Sequence, residues 1–76
     1  GAFFIYKDER YKILKAEIVK KHGKVGEVLT NDLEVACGDN QSLKILEIQR
    51  QGKKPQKIEE FILGSQIKKG ASLINV

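Results

Sequence analysis

Cationic side chains are the residues of this sequence whose types and spacing could do chemistry. Seven of the 14 lysines and arginines lie in two short segments that no acidic residue interrupts. The seven cations are Lys20, Lys21 and Lys24 in the first segment, and Arg50, Lys53, Lys54 and Lys57 in the second. Such residues can contact phosphates without reading a base sequence. The net charge of +4 and the pI of about 9.3 suit a nucleic-acid partner, and they suit a merely solvated surface equally well.

Candidates for catalysis are few. Cys37 shares the parity of Leu33 and Val35 in the stretch LEVAC, which predicts a small buried hydrophobic residue rather than a nucleophile. A single cysteine rules out an internal disulfide and suits a reducing compartment. His22 lies within the first basic segment, where nothing indicates a catalytic role. We therefore expect neither a catalytic residue nor a metal site in this chain.

Short strands are the elements that would position the two basic segments. Apolar runs predict six of them, at 2–6, 11–19, 27–30, 33–37, 42–49 and 66–68. Asn31 and Asp32 predict a tight two-residue hairpin loop, because both residues tolerate positive φ. Gly52 permits a turn in the second basic segment, and Pro55 stops the preceding strand from continuing its ladder.

The apolar parity shifts inside two of these strands. In 11–19 the shift falls near Leu14, which suggests a bulge or bend of the kind that a small barrel needs at its corners. A helix is the competing interpretation of 11–19, and the β-branched residues and the charged turns on either side favour the strand. In 42–49 it falls between Ile45 and Leu46. A bulge or burial on both faces would explain that second shift.

One helix is predicted near the C-terminus. Ile58, Phe61 and Ile62 recur at helical spacing, and acidic residues occupy the first turn. Lys57 stands at the N-cap, where lysine is a poor cap, and Gly64 is a plausible C′ residue. We expect about two turns, stabilised by packing rather than by propensity.

Strands without helical crossovers exclude parallel βαβ units. We predict a mainly β fold, a small antiparallel barrel that is closed or nearly closed, with one short helix near the C-terminus. The 76 residues make one domain, and nothing resembles a transmembrane span or a signal peptide. Because position 1 is not methionine, we expect the chain to be processed or cut from a longer protein.

Several stretches resemble a known family. GKVGEV from Gly23, LEVACGDNQSLKILEIQRQGKKP from Leu33 and EEFILGSQIKKGASL from Glu59 are similar to the C-terminal domain of methionyl-tRNA formyltransferases. The opening GAFFIYKDERYKILKAEIV also fits that domain. Val25 departs from the family's usual proline, and Lys57 departs from its usual serine or threonine cap. Both departures concern local stability.

The resemblance implies an OB-like open barrel, formed by residues 1–76, that follows a larger catalytic domain. The parent enzyme would formylate methionyl-initiator-tRNA in translation initiation, with 10-formyltetrahydrofolate as the donor. The family's catalytic asparagine, histidine and aspartate lie in the upstream domain, so this chain alone would be non-catalytic. The resemblance also implies a cytoplasmic protein without a membrane partner, and we expect a monomer.

Holding the tRNA backbone is the role that the resemblance implies for this domain. The seven cations named above are the predicted contacts, displayed in two mobile loops lying side by side. Lys68 and Lys69 are secondary candidates. One alternative is a structural or interdomain module of a related formyltransferase that acts on a nucleotide sugar or a folate, without RNA. Another is a free-standing single-strand-binding OB protein, which would need exposed aromatic residues on a strand face.

Overall fold

The fold is described by a computed structural model that covers residues 2–38 and 40–75. Its elements are β1 (Phe3–Tyr6), β2 (Glu9–Val19), β3 (Glu34–Gly38), β4 (Gln41–Arg50), β5 (Gln56–Lys57) and α1 (Ile58–Gly64). The long strands β2 and β4 are rich in isoleucine, whose branched side chain suits a pleated surface.

All strand pairs are antiparallel, in the order β1-β2-β4-β3. The edge of β4 that faces away from β2 pairs with β3 over its first half and with β5 over its second half. The sheet curls into a half-barrel, which confirms the predicted mainly β fold with one short helix near the C-terminus. The helix and the C-terminal segment cover its concave face, called here the inner face.

Single bridges join the two edges of the curled sheet. Ile5 of β1 pairs with Ile74, Ser72 pairs with Glu27, and Val28 pairs with Val35 of β3. Gly26 makes this approach possible, since its φ is +89° and a Cβ there would collide with the Leu73 carbonyl oxygen.

The predictions of strands at 27–30 and 66–68 are wrong, because the first segment forms only single bridges and the second forms neither a strand nor a bridge. The first segment has room for only two bridged residues between the positive φ at Gly26 and the turn that begins at Thr30. In the second segment, the Ser65 hydroxyl accepts the Ile67 N–H at 3.0 Å. That bond takes the place of a strand partner.

The core lies between the inner face and the segments that cover it. It consists of Phe4, Tyr11, Val28, Leu33, Val35, Ile45, Ile48, Ile58, Phe61, Ile67 and Leu73. Tyr11 stacks on Phe4 with ring centroids 5.0 Å apart, and it meets the edge of Phe61 at 5.7 Å. The helix contributes Ile58 and Phe61 to the same cluster, so packing holds its two turns in place.

Paired bulges in β2 and β4 confirm the parity shifts seen in the sequence. Ile13 pairs with Ile48, Lys15 with Glu47 and Ala16 with Ile45, so one residue is inserted in each strand. The inserted residues are Leu14 and Leu46. Because the two insertions compensate, the register is the same on both sides of them.

Two hairpin turns have positive φ at residues other than glycine. The β1–β2 turn places Lys7 at φ 49° and Asp8 at φ 65°, a mirror-image hairpin turn built without glycine. In the 30–33 turn the positive φ is at Leu33, not at Asn31 or Asp32. Because the Leu29 N–H donates to the Glu34 carbonyl oxygen, the loop contains four residues rather than the predicted two.

The two ends of the helix agree with the sequence prediction only in part. Lys57 makes no side-chain cap bond, as its residue type predicts. Gly64 is the last helical residue and has no positive φ, so the C′ prediction is wrong. Instead, Lys68 Nζ donates to the Ile62 carbonyl oxygen at 3.3 Å, which satisfies one of the helix's terminal acceptors.

Burial along the β2–β4 ladder predicts a contrast between two isoleucines. Ile48 is 0% exposed, whereas Ile18, also on the inner face, is 67% exposed. Ile48→Val should lower the free energy of unfolding by about 0.5–1.5 kcal/mol. Ile18→Val, the matched control, should change it by less than about 0.5 kcal/mol. Urea unfolding of both variants measures this, and equal losses would contradict the described packing.

Candidate nucleic-acid interface

An open groove of about 750 Å³ lies between the β1–β2 turn, the loop 51–55 and the helix. We call it the basic groove. Its charged lining residues are Lys7, Glu9, Arg50, Lys53, Lys54 and Glu60. Four cations face two carboxylates, so the groove has a net positive charge that suits an anionic ligand.

Arg50 does not project freely into this groove. Its Nη2 donates to Glu9 Oε1 at 2.7 Å, and its Nε donates to Glu9 Oε2 at 3.2 Å. This fork lowers the pKa of the Glu9 carboxyl and raises that of the guanidinium. Arg50 therefore fixes the β1–β2 turn to the end of β4, and any phosphate would compete with Glu9 for it.

Lys53 and Lys54 lie in the exposed loop after Arg50. The Lys53 N–H donates to the Arg50 carbonyl oxygen at 2.9 Å, closing a turn in which Gly52 has φ 80°. Gln49 Nε2 donates to the Lys53 carbonyl oxygen at 2.9 Å and ties the loop to β4. These bonds order the backbone of Lys53, and both lysines line the groove.

Lys57 lies apart from the groove. It belongs to β5 and stands directly opposite Glu47 of β4. Lys15 stands opposite the same glutamate from β2. Since directly paired residues share a face, two lysines flank one carboxylate on the convex side of the sheet, called here the outer face.

Lys20, Lys21 and Lys24 lie in the connector 20–26, which follows β2. The Ser42 hydroxyl donates to the Lys21 carbonyl oxygen at 3.0 Å, and the Gly26 N–H donates to the Ala36 carbonyl oxygen at 2.8 Å. These bonds lay the connector over the outer face at the β3 end of the sheet. Ser42 and Ala36 are consequently buried, although they point away from the core.

Glu34 holds one of the connector lysines. Lys21 Nζ donates to Glu34 Oε1 at 2.8 Å, and the Thr30 hydroxyl donates to the same oxygen at 3.2 Å. The glutamate side chain is only 10% exposed. The Lys21 hydrogen bond keeps the pKa of this carboxyl below its ordinary value, against the opposing effect of burial.

The two basic segments lie at opposite ends of the β2–β4 ladder, so the prediction that they lie side by side is wrong. Tyr11 pairs with Arg50 at one end, and Val19 pairs with Ser42 at the other. An antiparallel strand rises about 3.3 Å per residue, so positions 11 and 19 are about 26 Å apart along the ladder. The longest extent of the molecule is 32 Å. A single polyanion would have to span nearly the whole domain to touch both.

Sequence reasoning missed four cations. Lys7 lines the basic groove, and Arg10, Lys12 and Lys15 lie on the outer face of β2. Alternation along the strand could have identified the positions 10 and 12. Lys15 joins them only because of the inserted Leu14.

Three of the five aromatic rings pack in the core. Phe4, Tyr11 and Phe61 are buried, and burial raises the pKa of the Tyr11 hydroxyl. Tyr6 is half-buried beside the groove, with Lys7 Nζ 5.5 Å from its ring centroid. Phe3 is also half-buried, but on the outer face.

Cys37 and His22 form no catalytic arrangement in the described part of the chain. Cys37 is half-buried rather than buried, and desolvation raises the pKa of its thiol, which disfavours the reactive thiolate. His22 is exposed in the connector. Residues 2–38 and 40–75 contain no group of three or more metal-ligating side chains. No helix within these residues is long and apolar enough to cross a membrane.

The Lys21–Glu34 pair predicts a pH-dependent stability difference. Glu34→Gln should destabilise the fold at neutral pH, because Lys21 and Thr30 lose an ionised acceptor. The pKa is lower in the folded chain than its ordinary 4.5, so the unfolded chain takes up the proton first. The stabilisation is therefore lost as the pH falls below about 4.5. The difference in the free energy of unfolding between wild type and Glu34→Gln should disappear there.

Urea unfolding between pH 7 and pH 3 measures that difference. Asp32→Asn is the matched control, since Asp32 is an exposed turn residue. Its difference from wild type should change little with pH. A difference for Glu34→Gln that persisted at pH 3 would show that the carboxylate charge is not the cause.

Comparison with known proteins identifies the family. A family model described as the C-terminal domain of formyl transferases matches residues 1–66. The chain is 68% identical over 76 residues to a methionyl-tRNA formyltransferase of Pelagibacter ubique, covering all of this chain and 24% of that protein. It is 41% identical over 75 residues to the enzyme of Rickettsia canadensis, covering 96% of this chain and 24% of the relative.

A third relative is the methionyl-tRNA formyltransferase of Rhodopseudomonas palustris, 41% identical over 61 residues. This match covers 80% of the chain and 19% of the relative. The chain thus spans about a quarter or less of the length of these relatives. The family match confirms the resemblance seen in the sequence: the chain belongs to the family of formyl transferase C-terminal domains.

Proposed function

We propose that this chain is the tRNA-binding C-terminal domain of a methionyl-tRNA formyltransferase, and that it holds the tRNA backbone without taking part in catalysis. The 68% identity over the full chain to an enzyme of that name carries the proposal. Residues 1–76 would form one domain behind a catalytic domain. That domain would bind 10-formyltetrahydrofolate and transfer its formyl group to methionyl-initiator-tRNA, in the cytoplasm.

The segment 50–57 runs from the end of β4 through the loop 51–55 to β5, and it is called here the loop 50–57. Its positive charge supports this role. Lys53 and Lys54 line the basic groove, where hydrogen bonds order the backbone of Lys53, and Lys7 lies across the groove from the helix. Cations of this kind position a phosphate backbone and release its counterions. Arg50 would contribute mainly by holding the β1–β2 turn through Glu9.

The connector lysines become a second, distant contact in this proposal. Lys21 is engaged by Glu34, which leaves Lys20 and Lys24 as the exposed cations of that segment that would face an RNA. A tRNA lying along the β2–β4 ladder could touch both ends. We expect the loop 50–57 to account for most of the affinity.

A structural module of a related formyltransferase, without RNA, is the second candidate. The separation of the two basic segments is the observation that favours it, since a purely interdomain role does not require converging cations. We nevertheless favour tRNA binding over the structural role, because all three matched relatives are named methionyl-tRNA formyltransferases.

Salt dependence tests the proposed function. The 76-residue chain should bind a tRNA transcript weakly. The affinity should fall steeply with salt, with a slope of about −0.7 to −0.9 in log K against log salt for each phosphate neutralised. Lys53→Gln and Lys54→Gln should each flatten that slope by about one such step. Fluorescence anisotropy at several salt concentrations measures it.

Lys44→Gln is the matched control, because it removes the same charge from an exposed site between Glu17 and Glu34. The slope should stay at the wild-type value in this variant. Thermal melts followed by circular dichroism verify that each variant is folded. Absence of binding at low salt, or binding indifferent to salt, would overturn the proposal.

A further inference from the structure

A cation–π pair organises Arg10 on the outer face of the sheet. Its Cζ lies 4.0 Å from the centroid of the Phe3 ring. Phe3 pairs directly with Lys12, so Arg10 is its diagonal neighbour across the β1–β2 ladder. The half-buried ring supports the guanidinium in one place while Arg10 itself stays exposed.

Polar side chains surround this supported guanidinium. Lys12 pairs with Gln49, and the Gln51 N–H donates to the Arg10 carbonyl oxygen at 2.9 Å. Arg10, Lys12, Gln49, Gln51 and Gly52 line a shallow depression of about 330 Å³. It offers two cations and two amides, and no carboxylate lines it. A planar fork beside an ammonium group matches a phosphate.

The positive stripe continues to the bulge. After the inserted Leu14, Lys15 points outward opposite Glu47, and Lys57 flanks that glutamate from the other side. The outer face therefore presents Arg10, Lys12 and Lys15 along β2. At Arg10 the stripe borders the loop 51–55, whose Gln51 and Gly52 line the same depression, and across Glu47 it borders Lys57 of β5.

Beyond the bulge the charge reverses. Lys44 stands between Glu17 of β2 and Glu34 of β3 in the next outward-facing row. The connector 20–26 then covers the outer face. The positive stripe thus ends near Lys15 on one side, and on the other it reaches the loop that contains Lys53 and Lys54.

We propose that the outer face of β2 at Arg10, Lys12 and Lys15 is a second RNA-contact surface, at which the Phe3-supported Arg10 clamps a phosphodiester group. This rests on the proposed function and changes its geometry. The RNA backbone passes around the loop 50–57 onto the outer face, rather than from that loop to the connector. The contact is with the backbone, because cations and amides here offer no aromatic platform beyond the ring that Arg10 already covers.

Variants on the two sides of the bulge test this inference. Arg10→Gln and Lys12→Gln should each weaken binding of a tRNA transcript and flatten its salt slope by about 0.7 to 0.9. Lys44→Gln is the matched control on the same face. Since it removes one charge between two glutamates, it should leave the slope at the wild-type value.

Phe3→Leu tests whether the ring that supports Arg10 contributes to RNA binding in addition to the charge of Arg10. It leaves every charge in place but removes the ring under Arg10, so the affinity should fall by about two- to fivefold. In ¹⁵N-labelled chain, the Arg10 Nε–H signal should shift on adding tRNA in wild type and shift less in Phe3→Leu. Circular dichroism melts check that the variant is folded.

The outcomes distinguish the two proposals. If wild type binds tRNA, and Lys53→Gln weakens binding while Arg10→Gln and Lys12→Gln do not, the outer-face site is overturned and the proposed function stands. If Lys44→Gln weakens binding as much as Arg10→Gln, the stripe is not a site and the inference fails. If wild type does not bind tRNA at low salt, both proposals fall.

Discussion

The antiparallel register of β2 against β4 is the constraint on which the other features depend. It is the longest ladder in the sheet, and it fixes which loop lies at which end. Its paired insertions at Leu14 and Leu46 keep isoleucines on the inner face over the whole length. Without them, every residue beyond Ile13 would change face, and Lys15 would point toward the core. One local irregularity thus decides both the packing and the charge of the outer surface.

Much of this fold follows from local sequence patterns. The parity shifts predicted the bulges because apolar side chains must stay on one face, and the 58, 61, 62 spacing predicted the helix. The two failed strand predictions have different causes. Residues 27 and 28 form only single bridges, and the bridge from Glu27 runs to Ser72, a distant partner that no local pattern encodes. In 66–68 the Ser65 hydroxyl binds the Ile67 N–H, so a side chain takes the place of a strand partner. Leu33 adopted a positive φ despite its bulk because the core fixes its side chain.

The interface was predictable in composition but not in arrangement. The sequence identifies the connector and the loop 50–57 as basic, yet their separation depends on β2 pairing with β4 rather than with β3. The sequence also does not show which cations form ion pairs. Glu9 is 41 residues from Arg50, and Glu34 is 13 from Lys21, so neither ion pair is visible as a sequence neighbour. Both pairs engage cations of the predicted set with carboxylates, and strand alternation places other cations on the outer face.

Engaged and exposed cations have different physical roles here. Arg50 and Lys21 are each fixed by a carboxylate, so using them for a phosphate would require breaking an existing charge-assisted bond. Arg10 is fixed by an aromatic ring instead, which restrains the side chain without consuming its donors. Restraint of this kind lowers the entropy lost when a ligand binds, while leaving the electrostatic attraction intact. A cation held by a ring is therefore a better phosphate ligand than one held by a carboxylate, and on this sheet the outer face of β2 provides it.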